Sequence, residues 1–159
     1  MAKVVIVADE KYIYGRYDWM RVGLTGAALG VILFAVAWMI GSFVIDPLVC
    51  RSGTLTACGR SEVIAANVAG VIVAVIGASV LIRLLIRRAL GVALAALLVF
   101  WNITTLTAGL QWAEATAWLA VLYALTYLLF ASIFRIKSLW VSLVVAAIVV
   151  LALRWVAFL

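Results

Sequence analysis

Asp46 to Glu62, DPLVCRSGTLTACGRSE, is the only long polar stretch between the first apolar run and the end of the chain, and it holds both cysteines. On either side of it the sequence is apolar, broken by single charges and short basic groups. A polar loop between runs of hydrocarbon length is the mark of a polytopic membrane protein.

Composition leads to the same class. Of 159 residues, 70% are hydrophobic and 11% charged, whereas soluble domains carry about a quarter charged residues. A water-soluble globule of this size still exposes roughly a third of the surface of its unfolded chain, and this chain lacks the polar residues to cover it. The net charge of +6 does not signal nucleic-acid binding, because the basic residues sit in ones, twos and threes at the ends of apolar runs. That distribution is the one that orients membrane helices. The lipid bilayer is therefore the expected partner.

Taken outward from the loop, the apolar runs predict an all-α bundle of five transmembrane helices, at about 22–45, 63–82, 90–110, 117–134 and 139–153. Residues 1–21 form a mixed N-terminal segment. Tyr12, Tyr14, Tyr17 and Trp19 suit the headgroup level there, and the run that follows is too long for a cleaved signal peptide. Asp46 and Pro47 are expected to end the first span, since proline cannot continue the helix ladder. From Val63 to Leu110 the chain is far longer than one crossing and must reverse. The break belongs at Arg83, Arg87 and Arg88, with Gly91 available for the turn. Ser61 and Glu62 suit the start of the second span as cap and dipole partner. A short QWAEAT turn is expected between the third and fourth spans.

Counting basic residues by side orients the bundle. With the N-terminus inside, Lys3, Lys11, Arg16, Arg21, Arg83, Arg87, Arg88, Arg135 and Lys137 face the cytoplasm, and Arg51, Arg60 and Arg154 face out. This bias follows the positive-inside rule and predicts an N-in, C-out protein of a bacterial cytoplasmic membrane. Cys50 and Cys58 then lie in an extracytoplasmic loop, where a structural disulfide forms and persists. Free thiols or a redox pair are the alternatives. The spacing is not the C-x-x-C of thiol oxidoreductases.

Two sets of small residues predict close helix packing: the Gly26/Gly30 pair, and Ala66, Gly70, Ala74 and Ala78 at intervals of four. Whether their partners lie in the same chain or a second copy is open at this level. Tyr123, Tyr127, Phe130 and Phe134 share one stripe of the fourth span, which points to core or lipid contact. The polar residues Asn67, Asn102, Thr104, Thr105, Thr107 and Gln111 gather toward the outer leaflet, with Glu114 at the boundary. Interhelical hydrogen bonds account for them, and the alternative is a shallow outward cavity with Glu114 and Arg51 or Arg60 at its mouth.

The chain has no histidine, which removes histidine metal sites and histidine base catalysis. No phosphate-binding glycine loop, HExxH or GxSxG occurs either. No cofactor and no enzymatic activity are expected. Three function classes remain: an accessory subunit packed in a homo-oligomeric or larger membrane assembly, which the small-residue faces favour; a small-solute or ion channel or transporter; and, with least support, a membrane thiol oxidoreductase.

Overall fold

The computed structural model describes residues 16–49, 61–84, 88–107 and 109–157. Among them every regular element is helical and no strand occurs. In chain order the elements are α1 (Arg16–Ile40), a π-helical turn (Gly41–Ile45), α2 (Asp46–Val49), α3 (Ser61–Arg83), α4 (Ala89–Val99), α5 (Thr104–Thr107), α6 (Trp112–Ile133) and α7 (Leu139–Ala157). Four helices are long and apolar enough to cross a membrane: the α1–α2 unit, α3, α6 and α7. Cys50, Cys58, Arg51, Arg60, Arg87, Lys3 and Lys11 lie outside the described residues.

The third expected span is where fold and expectation part. Instead of one helix over 90–110 the chain makes the 11-residue α4, a turn, and the single-turn α5. Eleven residues rise only about 16 Å, about half a hydrocarbon core. The sequence FWNITTLT explains the break: asparagine and β-branched Ile103, Thr104, Thr105 and Thr107 are weak helix formers. Asn102 takes a left-handed conformation (φ 66°) that ends the ladder.

Other boundaries shift for similar local reasons. Arg88, which directly precedes α4, is left-handed (φ 65°), whereas Gly91, expected to serve the turn, lies inside α4 against the ring of Phe134. The expected QWAEAT turn is mostly helix, since α6 begins at Trp112 after an extended Gln111. Alanines favour that start, and Glu114 in the first turn meets the positive end of the helix dipole. The first helix does not stop at Pro47. It widens into the π turn, where the Asp46 N–H reaches the Gly41 carbonyl, and resumes α geometry through Val49. A proline ring clashes with the carbonyl four residues earlier, here Phe43 inside the widened turn. The Ser42 hydroxyl bonds back to the Trp38 carbonyl, a contact that also bends helices.

Helices α1 and α6 run antiparallel and form the closest pair. Cβ atoms built on Gly26 would lie 2.9 Å from the Ala124 Cα, and on Gly30 2.5 Å from the Leu119 carbonyl oxygen. The Gly26/Gly30 pair is thus used within the chain. So is much of the α3 row: Ala66, Gly70 and Ala78 are buried, Ala74 is half-buried, and Gly70 abuts Leu97 of α4. Gly77, one residue off that row, receives the Tyr127 hydroxyl end. The aromatic stripe forms the core, with Tyr123, Tyr127, Phe130 and Phe134 all buried and Tyr123 stacked on Phe100 at 4.4 Å between ring centroids.

These contacts sort the charges by end. The α1 start lies beside the α6 end, since Gly23 meets Leu128, and Arg88 reaches Ile136 and Lys137. Arg21, Arg83, Arg88, Arg135 and Lys137 therefore gather at one end of the bundle. Asp46, Glu62 and Glu114 lie at the other, together with Arg154 in the last turn of α7.

Candidate functional site: a cleft at the acidic end

At the acidic end the helices do not close. A cleft of about 460 Å³ opens between the α1–α2 unit, the start of α3, the broken pass and the start of α6. Its floor is apolar, with Leu33, Phe34, Ile103 and Leu119. Polar groups line its upper wall: Ser42 from the π turn, Thr104 and Thr107 from α5, and the carboxylates Asp46 and Glu62. Trp38 and Trp112 flank it, both largely exposed. Among the described residues, no lysine or arginine lines the cleft.

Both departures from α-helical geometry meet here. Gly41 and Ser42 come from the π turn, and Ile103 directly follows left-handed Asn102. In hydrocarbon, non-helical backbone persists only where protein buries it or where it borders a cavity, and π turns recur at functional sites. The Thr104 Oγ1 is fully buried and has no hydrogen-bond partner within the described structure. Buried hydroxyls are usually satisfied, because an unmade bond costs about 1–3 kcal/mol.

Of the polar residues expected to cluster, the structure joins Asn67 and Asn102 in a reciprocal pair. The Asn67 Nδ2 donates to the Asn102 Oδ1 at 3.2 Å, and the Asn102 backbone N–H donates to the Asn67 Oδ1 at 3.2 Å. This pair latches the broken pass onto α3 just below the cleft, so its role is to hold the wall. Asn67→Ala removes the acceptor of the Asn102 N–H. It should destabilise the protein by about 1–3 kcal/mol in a denaturant titration in mixed micelles. Asn67→Asp keeps the acceptor and should recover part of that loss.

Gln111 and Glu114 are exposed and do not line the cleft. Thr105 has its side chain outside the described residues, and Arg51 and Arg60 lie outside them altogether. Asp46 and Glu62, which the sequence reading used only as helix-end markers, are the acidic groups at the rim. Their signal was faint, because carboxylates at helix ends are ordinary.

The described residues hold no group of three or more His, Cys, Asp or Glu side chains placed to bind a metal ion. Fold and site together define a small helical membrane bundle with a cleft at one end. In comparison with known proteins, no family model matches the chain, and neither a curated protein nor a solved structure matches it.

Proposed function

We propose that this protein is a membrane solute-binding protein of the channel or transporter class, with the cleft at the acidic end as the site its solute meets first. One observation carries the reading: the π turn and the broken pass, the two irregular segments of the helical wall, border the same cavity. Discontinuous helices serve solute sites in transporters because their freed backbone groups face the ligand. The small-residue faces, which favoured an accessory subunit, are largely consumed by contacts inside the chain and no longer call for a partner.

The orientation that fits this reading is N-in and C-out. Arginines and lysines then mark the cytoplasmic end, and the cleft and cysteine loop face outward, where a Cys50–Cys58 disulfide would persist.

Proteoliposomes loaded with a defined pool of amines, amino acids and carboxylic acids test the function. At least one solute should equilibrate faster than in protein-free vesicles. Ser42→Trp, at an exposed helix position whose ring would fill the cleft, should abolish that flux while the protein stays folded. Retention of every solute, or undiminished flux through the filled variant, would sink the reading.

The accessory reading keeps one supporting observation. Only 17% of the 18-residue apolar stretch of α7 is buried, the least of the four long helices. Copurification of a fixed set of membrane proteins in mild detergent, lost on substituting Val144 or Ile148 of that face, would favour it.

A further inference from the structure

We infer that the solute of the cleft is a lipophilic organic cation, an amine or quaternary onium group on an apolar or aromatic body. This inference rests on the solute-binding reading of the same cleft. Three features of the site select that chemistry.

Charge comes first. Asp46 and Glu62 reach the rim from different helices, and no basic side chain among the described residues lines the cleft to answer them. Two carboxylates at one rim favour a cation there. A hard metal ion is poorly served, since calcium takes six to eight oxygen ligands and magnesium a near-ideal octahedron. The described residues offer no cluster of three acidic or metal-binding side chains.

Size and apolarity come second. A cleft of about 460 Å³ falls within the roughly 300–1,000 Å³ range of small-molecule pockets. Its Leu33, Phe34, Ile103 and Leu119 floor would desolvate an apolar body but offer nothing to a small hydrated ion.

Aromatic rings come third. Trp38 of α1 and Trp112 of α6 both border the cleft with most of their surface exposed. Indole faces attract onium groups, and the attraction grows when water is excluded.

The probe pair is tetraphenylphosphonium and tetraphenylborate, near-identical in shape and opposite in charge. Binding to the full chain in nanodiscs of zwitterionic lipid is read by tryptophan quenching, after subtraction of signal from empty nanodiscs. The cation should bind saturably and the anion should not. Asp46→Asn and Glu62→Gln should each weaken the cation by about five- to tenfold, and the double variant by more, as expected for partly solvated ion pairs. Glu114→Gln, off the cleft, should leave binding unchanged.

Equal binding of both ions, or cation binding indifferent to both carboxylates, overturns the inference. If neither probe binds while another solute crosses the vesicles and Ser42→Trp blocks it, the cation assignment falls and the cleft reading stands. If Ser42→Trp also leaves that flux intact, both fall.

Discussion

Gly30→Leu is expected to prevent formation of a folded, monodisperse bundle, because the new side chain would point into the backbone of α6. A Cβ at Gly30 would sit 2.5 Å from the Leu119 carbonyl oxygen and 2.8 Å from the Ala120 Cα. Those atoms belong to a helix, so no rotamer change relieves the clash. Overpacking against movable side chains costs about 1–3 kcal/mol. Against a rigid helix, leucine should cost at least about 3 kcal/mol, a large fraction of ordinary domain stability.

Alanine isolates the steric part. At an open helical site Gly→Ala gains about 1 kcal/mol of helix propensity. At Gly30 the clash should outweigh that gain. At Gly23 it should not, because the nearest atom, the Leu128 Cδ1, would be at an ordinary 3.5 Å. SDS unfolding in mixed micelles should therefore rank Gly23→Ala at or above the parent, Gly30→Ala below it, and Gly30→Leu unfolded. A Gly30→Ala protein as stable as the parent would refute the α1–α6 contact as described.

Arg88→Ala should produce the second large loss, about 2–4 kcal/mol. The Arg88 guanidinium donates to the carbonyls of Ile136 and Lys137, each at 3.1 Å, and to the Ser142 Oγ at 2.7 Å. It thereby ties the α3–α4 turn to the α6–α7 turn. Hydrogen bonds to charged groups are worth about 1.5–3 kcal/mol each, and partial exposure keeps the sum below three full bonds. The clamp also holds Arg88 in its left-handed conformation, which costs a non-glycine residue about 1–2 kcal/mol.

Two further substitutions separate those effects. Arg88→Lys keeps the charge and loses the planar fork, so it should recover little. Arg88→Gly removes the backbone strain along with the clamp, and should be about 1 kcal/mol less damaging than Arg88→Ala. Arg83→Ala, an exposed control, should stay near the parent. Equal stability of Arg88→Ala and Arg83→Ala in the same titration would rule out the clamp.

Much of the fold was legible because hydrocarbon is a severe solvent. Long uncharged runs must be helical there, so the runs around Ala28, Val73, Leu122 and Val145 could be assigned before any coordinates. The glycine pair in α1 and the aromatic stripe in α6 were also visible as faces, since helical spacing alone puts their members side by side. Their partners were not. Nothing in Gly26-x-x-x-Gly30 says that Ala124 and Leu119 of the same chain would be the neighbours.

The break in the third pass was half visible. FWNITTLT reads as weak helix, yet its apolar flanks argued for a continuous span, and propensity is a small term beside hydrocarbon burial. What resolves the competition is Asn67, 35 residues upstream, which accepts the freed Asn102 N–H. No local pattern announces such a bond. The Arg88 clamp escaped for the same reason: its acceptors are two backbone carbonyls and a serine about fifty residues further on.

The amino-acid sequence by itself determined the solvent and the helical class, because both follow from local composition and a 3.6-residue period. Only the tertiary structure decided which small faces meet, where the helix wall breaks and that Asp46 and Glu62 share one cleft. Those facts depend on contacts between residues distant in the chain, and they are set by packing and by the need to satisfy backbone groups freed inside the bundle.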